Sequence, residues 1–181
     1  MRVAMIGTGY VGLVSGTCFS EFGHSVVCVD NDRSKIERLL GGEIPIYEPG
    51  LDDLVARNVR SGHLGFTTDL AQAVRDAEVV FIAVGTPSRR GDGHADLSYV
   101  FEAVRQVAMA ADGYRLVVTK STVPVGTGAK VKALLAETRP DLPFDVASNP
   151  EFLREGSAIE DFMRPDRVVV GTETARAREL M

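Results

Sequence analysis

Residues 2–6 read Arg2-Val3-Ala4-Met5-Ile6, and the next six read Gly7-Thr8-Gly9-Tyr10-Val11-Gly12. The first run is short, apolar and ended by glycine, which predicts a buried strand. The second fits G-x-G-x-x-G at a strand-to-helix turn. A helical run continues to Gly23, and Ser25-Val26-Val27-Cys28-Val29-Asp30 predicts a second strand with an acidic end. In such a pattern Gly7 permits the tight turn, Gly9 lets the backbone approach a pyrophosphate, and Gly12 lets helix and strand pack closely. The helix start turns its unpaired N–H groups and positive dipole end toward phosphates. Asp30, 23 positions after Gly7, stands where a carboxylate accepts hydrogen bonds from an adenosine ribose. Glycines at a turn can be purely structural, but strand, glycines, helix, strand and acidic end in this order point to dinucleotide binding. A carboxylate bonds a free 2′-hydroxyl and repels a 2′-phosphate, so Asp30 favours NAD over NADP. Asp32 adds to that repulsion, and Arg33 is the neighbour that argues against it.

The bulk properties set bounds around this reading. A chain of 181 residues defaults to one domain with a real core. Hydrophobic residues at 45% argue against disorder. A net charge of −5 with scattered basic residues gives no footprint for nucleic acid. No apolar run approaches the roughly 18 residues of a membrane span. The first apolar run is interrupted at once by Gly7, Gly9 and Gly12, so it reads as a strand and not as a signal peptide. The two cysteines, Cys18 and Cys28, sit inside predicted elements without metal-ligand spacing. A reduced, cytoplasmic protein without a metal site is the expectation.

Beyond Asp30, helices are predicted over 32–40, with Ile36, Leu39 and Leu40 on one face, and over 51–60, with Leu51, Leu54 and Val55 inward. The proline-rich stretch 44–50 between them reads as irregular. A strand over 64–68 and a short helix over 70–75, capped by Asp69, come next. The unbroken run Val79-Val80-Phe81-Ile82-Ala83-Val84 predicts a parallel strand covered on both faces. Arg89, Arg90 and His94 fall in a polar loop, the arginines as solvated charges and the histidine without assigned chemistry. Further helices are expected over 97–111 and 128–138, and strands over 116–119, 144–148 and 168–170. A helix begins after Thr174. Alternating strands and helices predict an α/β, doubly wound parallel sheet, Rossmann-like, as a single domain. Its polar segments fall at strand ends, where ligands gather in such sheets. Strand order is not readable from one sequence.

Five segments together carry a resemblance: Gly-Thr-Gly-Tyr-Val-Gly-Leu at 7–13, Glu-Pro-Gly-Leu at 48–51, Val-Gly-Thr-Pro at 84–87, Lys-Ser-Thr-Val-Pro-Val-Gly-Thr at 120–127 and Asn-Pro-Glu-Phe-Leu-Arg-Glu-Gly at 149–156. In this order they resemble the UDP-glucose/GDP-mannose dehydrogenase family, nearest to members that act on UDP-glucose. The resemblance implies oxidation of a nucleotide sugar's C6 alcohol to a carboxylate with two NAD per turnover, through a thioester on a cysteine that water hydrolyses. It implies that Gly7, Gly9, Val11 and Gly12 hold the pyrophosphate, and that Asp30 and Lys35 hold the adenosine ribose. Thr86 and Thr122 would line the nicotinamide side, with Thr122 also holding a catalytic water. Glu151, Phe152, Leu153, Arg154 and Glu155 would meet the sugar, with Glu151 near the reacting carbon and Glu155 near the cofactor.

Blander readings stand beside these. Lys35 reads first as an exposed helix charge. Thr86 and Thr122 suit turns or caps. Tyr10 packs either over the cofactor or onto the fold. Glu151 and Glu155 can be solvated charges at a helix start. The family's cysteine, with its accompanying lysine, asparagine and aspartate, would lie beyond residue 181, and Cys18 and Cys28 read as small buried hydrophobes. The expectation is therefore an N-terminal NAD-binding domain, residues 1–181, of a longer enzyme that dimerises through a central helix beyond this chain. A relative acting on GDP-mannose or a UDP-N-acetylhexosamine, or a stand-alone NAD sensor, is the alternative.

Overall fold

The computed structural model describes residues 1–88 and 95–181; the readings for Arg89, Arg90 and His94 fall outside the described residues. The first half runs β1 (Arg2–Ile6), α1 (Tyr10–Glu21), β2 (Ser25–Val29), α2 (Arg33–Leu40), α3 (Leu51–Arg60), β3 (Leu64–Thr67), α4 (Leu70–Asp76) and β4 (Val79–Ile82). The second half runs α5 (Ser98–Ala110), β5 (Arg115–Thr119), α6 (Thr127–Thr138), β6 (Phe144–Ser148), α7 (Ala158–Met163), β7 (Gly171–Thr172) and α8 (Ala175–Leu180). The sheet order is β3-β2-β1-β4-β5-β6-β7. The first six strands are parallel, and β7 returns antiparallel on β6. Between β1 and β4 the strand order reverses direction, the place where such sheets open a crevice.

Both sheet faces are covered, so β4 is apolar at every position and β1 and β5 are apolar along their interiors. Along β1, Val3 and Met5 pack with residues of α1, α2 and α3, while Ala4 and Ile6 pack with residues of α4, α5 and α6. This is the period-two alternation of a strand shared between two cores. Buried polar residues here include Arg115 and Thr119 of β5. Arg115 opens β5 and donates to the carbonyls of Val74, Arg75 and Tyr114 and to Asp112. It thereby satisfies carbonyls at the end of α4, where a cation also suits the helix dipole.

Most expected elements are present within a residue or two, and Asp69 caps α4 by accepting from the Gln72 amide at 2.9 Å. Three expectations change. Leu40 is 66% exposed, whereas Ile36 and Leu39 are buried; α2 is a narrow two-residue stripe. The last strand is not 168–170. Val168 is 68% exposed, and the pairing falls on Gly171–Thr172. Valine favours extended backbone, but the Asn149 side chain takes the Val169 carbonyl at 2.9 Å, so the ladder starts later. Helix α7 was not expected at all. It is only six residues long and is held by tertiary packing, with Phe162 edge-on to Phe19 of α1 at 5.1 Å between ring centroids.

The glycine turn is the tightest crossing in the fold. A Cβ on Gly12 would lie 2.0 Å from the Gly7 carbonyl oxygen. Gly7 itself has φ +104° and would place a Cβ 2.7 Å from the Ala83 oxygen. Gly12→Ala must therefore push α1 off β1. The expected cost is about 1–3 kcal/mol, or a Tm fall of about 2–4 °C per kcal/mol at this chain length. Thermal unfolding checks it, and an unchanged Tm would show that the crossing has slack.

Candidate functional site

The carboxyl ends of β1, β2 and β4 surround a groove of about 450 Å³ lined by Gly7, Gly9, Asp30, Lys35 and Gly85 among others. Helix α1 opens on this groove at Gly9, with no side-chain cap and no acidic residue in its first turn. Its leading N–H groups are thus left for an external acceptor. A Cβ on Gly9 would meet nothing within 4 Å, so the space a side chain would take is open. Gly12 is buried against the turn and Val11 is half-buried beside it.

Asp30 closes one end of the groove. Its Oδ2 accepts from the Thr8 amide at 2.9 Å, the Thr8 hydroxyl at 2.7 Å and Lys35 Nζ at 2.8 Å. Among the described residues its Oδ1 accepts only from the Asp32 amide at 3.0 Å, which leaves capacity for a ribose hydroxyl. Burial raises the carboxyl's pKa, but the bonds from Lys35, Asp32 and Thr8 outweigh that and hold it down at about 2. Lys35, which base rates make a solvated charge, is here an ion-pair partner of Asp30. These donors and acceptors fit a pyrophosphate at the turn and a diol beside Asp30.

A second cavity, about 480 Å³ and mainly apolar, is lined by Glu151, Phe152 and Leu153 together with Lys120, Asn149 and Phe162. Glu151 is half-buried, and its Oε2 accepts from the Leu153 amide at 2.6 Å. Arg154 turns outward onto Asp161 at 2.7 Å, and Glu155 is exposed. The five residues expected at a sugar are therefore divided, and the helix-start reading fails because α7 begins only at Ala158. Thr86 and Thr122 do meet: the Thr86 hydroxyl donates to the Thr122 carbonyl at 3.3 Å, joining the loops after β4 and β5. Tyr10 packs onto the fold, its hydroxyl donating to Glu48. Burial, then that bond, push its phenol up to about 12.

Three residues were missed as site residues. Thr8, a variable position of the glycine motif, supplies two of the bonds that hold Asp30. Glu48 is 6% exposed and joins distant segments; it lay in a stretch, 44–50, read only as irregular. Lys120 is 3% exposed, with Nζ 3.1 Å from Asn149 Oδ1 and 5.5 Å from the Phe162 ring centroid. Cys18 and Cys28 are free and buried, and burial pushes both thiols up to about 12, so they are poor nucleophiles. Among the described residues no group of three or more His, Cys, Asp or Glu could hold a metal ion. Nor is any helix among them long and apolar enough to cross a membrane.

Burial pushes the Lys120 ammonium down to about 8 against the opposing pull of Glu151. Between pH 8 and the ordinary lysine value near 10.4, the unfolded chain binds a proton that the folded chain lacks. Stability must then rise with pH through this window, by up to about 1.4 kcal/mol per pH unit. The stability of wild type minus that of Lys120→Met should grow from pH 8 to 10 in chemical denaturation. A constant difference would mean that Lys120 keeps its proton throughout.

With this geometry in place, known proteins can be set beside it. The profile of the UDP-glucose/GDP-mannose dehydrogenase family, NAD binding domain, matches residues 1–181. The UDP-glucose 6-dehydrogenase of Rhizobium meliloti (strain 1021) is 64% identical over 183 residues, covering 100% of this chain and 42% of that protein. The solved UDP-glucose dehydrogenase of Pyrobaculum islandicum superposes with TM-score 0.94 at 46% identity, over 98% of this chain and 42% of that one. The GDP-mannose dehydrogenase of Pseudomonas aeruginosa superposes with TM-score 0.95 at 38% identity, over 99% and 43%. This chain thus spans about two-fifths of the length of the relatives it matches. A doubly wound sheet with a bare helix start, a carboxylate at the end of β2 and a full-length profile match has one reading: the chain belongs to the UDP-glucose/GDP-mannose dehydrogenase family, as its NAD-binding domain.

Proposed function

We propose that the chain serves an NAD-dependent UDP-glucose 6-dehydrogenase, holding the cofactor that accepts hydride from the sugar's C6. The observation that carries the cofactor side is Asp30, fixed by four donors with Oδ1 still able to accept at the end of the groove. The turn at Gly7, Gly9 and Gly12 and the amide of Val11 would take the pyrophosphate. Lys35 would hold Asp30 in place and offset part of its charge. Thr86 and Thr122 would line the nicotinamide side, and Glu155 would approach it.

On the sugar side, Glu151 would position or deprotonate the hydrolytic water, with Thr122 as a second anchor for it. Phe152, Leu153 and Arg154 would supply backbone and side-chain contacts to the sugar. The half-buried carboxylate of Glu151 at the mouth of the second cavity supports this division of labour. UDP-glucose is preferred over GDP-mannose on sequence, because the backbones of the two relatives fit equally well. Dimerisation through a central helix and a cytoplasmic location belong to the same proposal. The resemblance supports the first, and two free, buried thiols the second.

Two measurements test it. Asp30→Ala in this chain should weaken NAD⁺ binding by on the order of 1.5–3 kcal/mol, the worth of a charge-assisted hydrogen bond. It should also narrow the preference over NADP⁺, and Asp30→Asn, which keeps the shape and loses the charge, should narrow it too. Calorimetry with both cofactors decides, and an unchanged NAD⁺ affinity would remove Asp30 from the site. In the full-length parent, Glu151→Gln should slow steady turnover by about 10²–10⁴-fold, the usual worth of a general base, while NAD⁺ affinity holds. Near-normal turnover would make Glu151 a bystander.

A further inference from the structure

One buried carboxylate links the first turn of α1 to the segment that follows Asn149. Glu48, Pro49, Gly50 and Leu51 form a type II turn: the Leu51 amide donates to the Glu48 carbonyl at 3.1 Å, and Gly50 sits at φ 80°, ψ 0°. Proline and glycine at the two central positions are what this turn demands. The turn presents the Glu48 side chain inward, where it is met from two directions. From the cofactor side comes the hydroxyl of Tyr10, the first residue of α1, bonded to Oε2. From the other side the Gly156 amide donates to Oε2 at 2.8 Å and the Ile159 amide donates to Oε1 at 3.3 Å. The Gly156 amide also reaches the Tyr10 hydroxyl at 3.2 Å.

We propose that Glu48 is a positioning residue that couples the glycine turn to the segment 149–156. Tyr10 is rigid beyond two torsions, and its backbone lies in the first turn of the helix that meets the groove. A ligand that orders this turn orders the Tyr10 hydroxyl, which fixes Glu48. Glu48 in turn holds the amides just beyond Glu151–Glu155. Linkage makes the effect reciprocal: a ligand that orders 149–156 tightens binding in the groove. This inference rests on the reading that the groove takes NAD.

Amide hydrogen exchange on this chain, with and without NAD⁺ saturating for each variant, tests it. In wild type, NAD⁺ should slow exchange at the glycine turn, and at Gly156 and Ile159 by at least about threefold. In Glu48→Gln, which misplaces an N–H₂ donor, and in Tyr10→Phe, which removes only a hydroxyl, the turn should still respond. Gly156 and Ile159 should then respond less than half as much. Tyr10→Phe covers the case in which a change at buried Glu48 costs the fold. Protection of the turn without protection of Gly156 and Ile159 in wild type would overturn the coupling alone. So would equal protection of those two amides in Tyr10→Phe. No protection of the turn in wild type would overturn the cofactor reading and the coupling with it.

Discussion

The closest constraint in this protein is steric: the first turn of α1 must cross the end of β1 with no side chain between them. Gly12 lies so near the Gly7 carbonyl that a methyl group cannot be added. Everything at the groove follows from that crossing. It sets α1 with its uncapped end at the carboxyl edge of the sheet, next to the gap where β1 and β4 part. It also brings Thr8 within reach of Asp30, so that the acidic end of β2 is locked to the turn that β1 feeds.

Three buried or half-buried charges around this edge are handled in three ways. Asp30 is given four donors including a cation, which keeps it ionised through any ordinary pH. Among the described residues Glu48 has no cation in an ion pair with it. Its charge is carried by two amides and a phenol drawn from segments more than a hundred residues apart, and charge-assisted bonds of this kind are roughly twice the strength of neutral ones. Lys120 is given least: one amide oxygen and an aromatic face. An ammonium buried with so few partners is costly to keep charged, and it stands beside Glu151 in the cavity wall. From Asp30 to Lys120 the charges run from a well-paired carboxylate at the groove to a sparsely partnered ammonium in the wall of the second cavity.

What could be read in advance was whatever depends on neighbours in the chain. The glycine spacing, the apolar runs of β1 and β4 and the cap at Asp69 are local facts, and they reappear in the structure. Asp30 follows β2 where the pattern has it, but Lys35, a solvated helix charge by base rates, becomes its ion-pair partner only in the fold. The site residues that escaped notice are those whose partners are remote. Thr8 looks like filler between two glycines until β2 returns alongside β1. Glu48 looks like part of an irregular stretch until residues 156–159 fold over it. Glu151 and Glu155, four residues apart in the sequence, are divided: the chain between Asn149 and Ala158 is not helical, and Glu151 lines the cavity while Glu155 is exposed.

The sequence by itself thus determined the class of sheet, the dinucleotide turn and the acidic residue that goes with it. Side-chain size and the two periodicities of strand and helix act within a few residues, and they leave a legible pattern. Tertiary structure alone decided the strand order, the place of the last strand, the existence of α7 and the meeting of Tyr10, Glu48 and Gly156. These rest on hydrogen bonds and packing between segments separated by tens to more than a hundred residues. Val168, Val169 and Val170 were extended by propensity, yet pairing went to Gly171 and Thr172, because a ladder needs a partner and Asn149 had already taken the Val169 carbonyl.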